Sequence, residues 1–329
     1  MMLAAMMKNH QNIHKITLPT GFQIGDVNVY LINEDPVTLI DTGVNGAISE
    51  HIFNKRLGEL GLTYQNIKRI VITHTHLDHC GMAGRIQDLS GAVLLIHKSK
   101  LGDITNITDT LLTRPRTLKN FYAESAVPKA LFSRSLKNFQ KSIYLSSNAK
   151  EAVPLVDEDE LEFENFSLKV IHTPGHSDDM LCLFDTKRKI LFSSDHITLH
   201  THPSLRLREI FTEKNGNLGN MNDYLNSLKK IESLDVTTTF PGHGETFGDP
   251  KSVIKTIRDI YLERKELIAE ILRKGNKNRF ELARSLFGFL NDRELFKGIP
   301  EVTGHLELLE GEGKLTKWAE NGIMYYHCK

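Results

Sequence analysis

Three cysteines (Cys80, Cys182 and Cys328) in 329 residues are too few for a disulfide framework and suit a reducing cytosol. No sign of charge prevails either. Forty-one basic residues face 41 acidic ones, so no overall field marks nucleic acid or a membrane surface as the partner. Long apolar runs are also missing. The stretch Met1 to Met7 is somewhat apolar but has no basic residues ahead of it and ends at Lys8, too short for a signal peptide or a membrane span. The expectation is a cytoplasmic protein without a membrane partner.

What the chain does have is concentrated imidazole. Thr73-His74-Thr75-His76-Leu77-Asp78-His79-Cys80-Gly81 follows the apolar Ile70-Val71-Ile72 and places three histidines and a carboxylate within six residues. In an extended segment residues i and i+2 face the same way, so His74 and His76 can grip one metal ion from one side. Asp78 and His79 fall in the turn beyond, where a helix entered at Gly81 lets them face a second ion. A His-X-His pair alone is often plain strand alternation; four donors at this spacing are not. Three more donors lie at separated places: His176 in Thr173-Pro174-Gly175-His176-Ser177, Asp195 in Phe192-Ser193-Ser194-Asp195-His196, and His243 in Phe240-Pro241-Gly242-His243-Gly244. Each follows a strand-like run, 166–171, 189–192 and 236–240. Gly/Pro loops at strand ends are where a rigid sheet presents an open site.

In this order and context the motifs resemble the metallo-β-lactamase superfamily over about residues 13–257. The resemblance implies an α/β fold, a four-layer αββα sandwich. It puts His74, His76 and His176 on one divalent ion, Asp78, His79 and His243 on another, and Asp195 between them. Asp41, in Asp41-Thr42-Gly43, would support the metal loop without binding metal. Three neutral imidazoles favour zinc (Zn2+) at the first position, and the mixed oxygen and nitrogen set at the second also tolerates iron or manganese. The implied activity is hydrolysis by a hydroxide held between the ions, with Asp78 as a ligand that also orients the water and no serine or cysteine nucleophile.

Neighbouring residues invite sharper roles than the sequence supports. Cys80 is read as a small buried packing residue. His172, His196, His200 and His202 are read as loop or supporting histidines, with His196 the best placed to protonate a leaving group.

Strand-like Val27–Ile32 and Val37–Ile40, a helix over about 47–61, a strand over 67–72 and another at Ala92–Ile96 predict a sheet sandwich covered by helices. Residues 97–152 form a helical insertion with ten basic against four acidic residues. That excess would either attract an anionic substrate over the metal cleft or be a solvated face balanced by Asp157-Glu158-Asp159-Glu160. Its aromatics Phe121, Tyr122, Phe132, Phe139 and Tyr144 are expected at the contact with the core.

From residue 258 the pattern changes, dividing the chain into a hydrolase domain, 1–257, and a small domain, 258–329. Helices are expected over Ile257–Lys274, Arg279–Phe287 and, opening on a first-turn proline, Pro300 to about Gly311. A hairpin follows around Asn321-Gly322. This resembles the winged-helix domain of the superfamily branch that includes an endoribonuclease. Residues 300–312, however, carry Glu301, Glu307, Glu310 and Glu312 and no Lys or Arg, a helix that phosphates would repel. The tail is therefore read as a packing or dimerisation module, the latter making a homodimer. The preferred substrate is a small-molecule ester, thioester or lactone, the alternative a phosphodiester in RNA. A metal-binding protein without catalysis would require a missing ligand, and none is missing.

Overall fold

The computed structural model describes residues 12–199, 221–288 and 292–329. Aliphatic and β-branched runs form two sheets. The first orders β1 (Ile13–Leu18), β2 (Val27–Ile32), β3 (Thr38–Ile40), β4 (Arg69–Ile72), β5 (Val93–His97) and β6 (Val153–Leu155), antiparallel to β3 and parallel from there on. The second holds β7 (Glu160–Glu162), β8 (Ser167–His172), β9 (Leu181–Asp185), β10 (Ile190–Ser194) and β11 (Thr238–Pro241), the last pair parallel. A small third sheet joins β12 (Lys277–Asn278), β13 (Leu315–Glu320) and β14 (Ile323–Cys328). Connections carry α1 (Ala47–Glu59), α2 (Leu77–Cys80), α3 (Ala83–Ser90), α4 (Leu101–Thr105), α5 (Ile107–Thr117), α6 (Lys119–Glu124), α7 (Lys129–Lys141) and α8 (Met221–Glu232). The C-terminal part adds α9 (Lys251–Lys274), α10 (Arg279–Phe287) and α11 (Asp292–Gly311).

Alternation along the strands separates three cores. Tyr30, Ile32, Ile40 and Val71 of the first sheet face Leu168, Val170, Leu183 and Phe192 of the second. Their sequence neighbours Val29, Leu31, Leu39, Ile70 and Ile72 point the other way, to Phe53, Leu57 and Ile86 of α1 and α3. Beyond the second sheet, Cys182 and Leu191 pack on Tyr224, Leu228, Ile254 and Ile257 of α8 and α9. Helix, sheet, sheet and helix thus form four layers, as strands buried on both faces require.

The expected helix start at Gly81 is corrected. Asp78 and His79 already lie in the one-turn α2, because the N–H groups of His79 and Cys80 both reach the His76 carbonyl at 2.9 Å. A side chain is excluded at Gly81, where a Cβ would strike the Leu77 and Leu145 carbonyls.

A fourth core joins the insertion to the tail. Phe121, Tyr122, Val127 and Leu131 pack with Ile268 and Leu272 of α9, Leu282 and Phe287 of α10, and Val302, Leu306 and Leu309 of α11. Tyr122 stacks on Phe296 at 4.3 Å, and the Phe280 N–H donates to the Ser125 carbonyl at 3.1 Å. Phe132 is half-buried here and Phe139 against the sheet–helix core. Tyr144, expected at a contact, is 84% exposed, one aromatic beyond what the short turn after α7 can cover. Residues 257 and 258 fall inside α9, which contributes to the core behind the second sheet and to this one.

The third tail helix also departs from expectation. It runs from Asp292 with Pro300 in its interior, although proline there costs about 3 kcal/mol. Burial of Leu295, Ile299 and Val302, about 1.5–3 kcal/mol each, outweighs that cost. Its glutamates and the one just beyond it turn to the same chain: Glu301 to Arg264, Glu310 to Lys317 at 2.6 Å, and Glu312 to Lys265 and Lys314. In the insertion, Lys100 is buried against Asp103 and Lys150 pairs with Asp88. The side chains of Arg114 and Arg116 lie outside the described residues. Asp157 and Glu158 of the acidic stretch pair with Lys230 and Lys169.

Candidate metal centre

Parallel strands β3, β4, β10 and β11 end on one side of the sandwich, and the loops after β4, β8, β10 and β11 carry seven buried donors. They fall into two clusters, His74, His76, His176 and Asp195, and Asp78, His79 and His243, with ligand atoms within 4.8 Å of one another in each. Asp195 faces both. Its Oδ2 lies 3.4 Å from Nε2 of His176, and its Oδ1 3.3 Å from Nε2 of His79 and 3.5 Å from Nε2 of His243. Asp78 Oδ2 is 3.5 Å from Nε2 of His243. Gly242 is needed for this approach: a Cβ there would run into Asp195 Oδ1 and the His79 ring.

The imidazoles are aimed from behind. His79 Nδ1 meets Asp41 Oδ2 at 2.8 Å and His243 Nδ1 the Asp26 carbonyl at 2.7 Å, turning both Nε2 atoms inward. Asp41 adopts a left-handed φ of 58°, held there by the hydrogen bonds its carboxylate accepts from the Thr73 N–H and Oγ1. Asp41 thus occupies the supporting position the resemblance implies. Asp179 was not read from the sequence. Fully buried, it accepts from the Thr75 N–H at 2.8 Å and from Ser177, tying the His74–His76 segment to the His176 loop. The signal was present in the acidic pair Asp178-Asp179 just after a ligand loop.

Burial opposes charge on these groups, and their mutual attraction overrides it. His79 is raised well above the ordinary imidazole value by Asp195 and Asp41, and His243 is raised to about 10 by Asp195 and Asp78. His79 and His243 in turn hold Asp195 well below the usual carboxylate range and Asp78 below it, against the burial that would raise both. A cation entering here displaces protons and binds more tightly as pH rises. Nε2 of His79, Nε2 of His243 and Oδ1 of Asp195 are buried without a hydrogen bond, which is costly unless a cation satisfies them. The donor set therefore fits two divalent ions.

The other histidines separate. Burial, with His176 adding to it, pushes His196 down to about 3; the buried ring favours its neutral form. His172 stacks on His97 at 4.2 Å and its Nε2 meets the Asp178 carbonyl at 2.8 Å. His200 and His202 lie outside the described residues. Cys80 is fully buried in the sheet–helix core, its thiol pushed well up by burial. Cys80→Ala is therefore expected to keep metal content and kcat within about twofold while costing on the order of 1 kcal/mol in urea unfolding. Loss of turnover with metal intact would make Cys80 part of the chemistry.

A sandwich with metal-binding loops at one edge defines a metal-dependent hydrolase. The sequence profile of the metallo-beta-lactamase superfamily matches residues 23–243, and the chain belongs to that superfamily. It is 27% identical over 323 residues to the probable metallo-hydrolase YqjP of Bacillus subtilis (strain 168), covering 96% of this chain and 98% of the relative. An atrochrysone carboxyl ACP thioesterase of Aspergillus chevalieri is 20% identical over 260 residues, 79% of this chain and 64% of that protein. The crystal structure of a metallo-beta-lactamase family protein from Thermus thermophilus superposes with a TM-score of 0.83 at 22% identity, over 97% of this chain and 99% of that one. A beta-lactamase domain protein from Burkholderia ambifaria gives 0.84 at 17%, over 97% and 92%. Both likenesses of fold extend through the C-terminal segment. Among the described residues no helix is long and apolar enough to cross a membrane.

Proposed function

We propose that the protein hydrolyses a small acyl compound, a thioester or a related ester or lactone, at a dinuclear centre. His74, His76 and His176 hold one ion, Asp78, His79 and His243 the other, and Asp195 spans both. Two divalent ions, zinc by the imidazole-rich donor set, supply a nucleophile from water at neutral pH and polarise the scissile carbonyl when bound. The chain's own part is to aim the donors, with Asp41 behind His79 and the Asp26 carbonyl behind His243, and to set the Asp78 carboxylate in the same cluster, where it would orient a water held by the ions. The burial of all seven donors, of which Asp78 is the most exposed at 8%, keeps the surrounding dielectric low, where fixed charges act strongly.

The observation that favours acyl over RNA hydrolysis is the expenditure of cationic side chains. Arg264, Lys265, Lys314 and Lys317 of the tail are paired with carboxylates, as are Lys100 and Lys150, two of the ten basic residues of the insertion, whereas a phosphate backbone is held by several unspent Lys or Arg. The thioesterases among the relatives point the same way. We read residues 258–329, winged-helix-like in their order of helices and hairpin, as a packing module of a cytoplasmic enzyme.

The test is a panel of thioesters, esters, lactones and single-stranded RNA on zinc-loaded protein. A thioester or ester should be turned over with kcat/KM at least a hundredfold above that of any RNA. Salt-sensitive RNA cleavage of equal or greater efficiency would replace the acyl reading by the phosphodiester one.

A further inference from the structure

Helix α8 presses one face against two of the ligand loops, and two hydroxyls on that face end on loop carbonyls. Tyr224, fully buried, donates from its hydroxyl to the carbonyl of His196 at 2.9 Å, next to Asp195. Ser227, one turn on and 2% exposed, donates from Oγ to the carbonyl of Pro174 at 2.8 Å, two residues before His176. Residues three apart on a helix share a face, so one rigid element grips both loops. The approach is as close as the chain permits. A Cβ on Gly175 would collide with Cα and Cβ of Tyr224, and the Tyr224 ring meets His196 edge-on at 5.2 Å. Neither residue belongs to the metal clusters, and Asp78, His79 and His243 lie on other loops.

α8 is itself held from outside. Met221, at its first turn, abuts Gly304 of α11, where a Cβ would come within 2.8 Å of the Met221 side chain. Tyr224 meets Tyr261 of α9 edge-on at 5.8 Å, and Tyr261 meets His305 of α11 at 5.8 Å. The C-terminal helices thereby back the helix that backs the ligands.

We infer that Tyr224 and Ser227 are positioning residues for the metal centre, Tyr224 for the loop of Asp195 and Ser227 for the loop of His176. The inference rests on the dinuclear reading and adds an asymmetry to it. Asp195 faces both clusters and His176 one. Removing the Tyr224 hydroxyl should therefore loosen both ions, and removing the Ser227 hydroxyl only the ion held by His74, His76 and His176. Loss of such an outer contact costs about ten- to a hundredfold in metal affinity.

The experiment is zinc titration against a competing chelator of wild type, Tyr224→Phe and Ser227→Ala, with melting temperature and kcat measured alongside at excess zinc. Two ions should bind the wild type. Both affinities should fall at least tenfold in Tyr224→Phe and one in Ser227→Ala, with kcat recovered within about threefold by excess zinc, since both hydroxyls are buried and spent on loop carbonyls. Two ions held with wild-type affinities in both variants would overturn the inference while leaving the dinuclear reading in place. So would a drop in melting temperature with no change in metal affinity. A wild type that binds fewer than two ions overturns the dinuclear reading and this inference with it.

Discussion

Exchange of Asp195 for alanine is expected to strip the protein of at least one of the two ions proposed for the centre and to lower kcat about a thousandfold or more. The two oxygens of this side chain face opposite clusters, Oδ2 towards His176 and Oδ1 towards His79 and His243. Its loss also leaves His79 and His243 without the carboxylate that contributes most to their basicity. His76→Ala touches one cluster alone and should cost less metal. Asp78→Ala should depress kcat comparably while the fold survives, because the Asp78 side chain faces the His79–His243 cluster, whereas Leu77 and Cys80 of the same one-turn helix are the residues that enter the apolar core. Elemental analysis of the purified variants, with steady-state kinetics on the best substrate of the panel, decides the matter. An Asp195→Ala protein that keeps two ions and a kcat within tenfold of wild type would show that the carboxylate spans nothing.

Removal of residues 276–329 is expected to leave the remainder insoluble or to lower its melting temperature by more than about 10 °C. The cut preserves α9 but uncovers Ile268 and Leu272 on it and Phe121, Tyr122, Val127 and Leu131 on the insertion, all buried in one core with α10 and α11. At about 1.5–3 kcal/mol for each large side chain the exposed surface is worth on the order of 10 kcal/mol, comparable with the whole stability of a domain. At about 2–4 °C per kcal/mol, even a third of that loss is visible in a thermal scan. A truncated protein that stays soluble with an unchanged midpoint would mean that the insertion and α9 bury these residues by themselves. The whole protein, with its α11 glutamates facing its own lysines and arginine, should show no measurable affinity for duplex DNA at physiological salt.

The parts of the centre that were legible in the sequence are those with short-range rules. His74, His76, Asp78 and His79 declare themselves by spacing, and His176, Asp195 and His243 by Gly or Ser loops after apolar runs. The helix Arg279–Phe287 was readable to the residue because both ends carry local signals. Asn278 accepts from the Glu281 N–H at 2.9 Å, Glu281 returns the bond to the Asn278 N–H at 3.0 Å, and Gly288 follows the last turn.

Where a local rule was overruled, a distant segment did it. Pro300 announces a helix start, yet α11 passes through it because Ile299 and Val302 are buried on either side of it. His196 looks exposed to the metal cleft from its place beside Asp195, yet it is fully buried with its ring edge-on to Tyr224. Tyr224 and Ser227 carry no motif at all; their role exists only once α8 is laid against the ligand loops. The amino-acid sequence by itself determined the strands that lead into the donor loops, the seven candidate donors and the acidity of residues 300–312, since each depends on residues within a turn or a strand of one another. Only the tertiary structure decided how the donors are aimed, which histidines stay neutral and what the tail covers. Those outcomes rest on desolvation and contact between segments tens to hundreds of residues apart, and no local pattern encodes the distance between them.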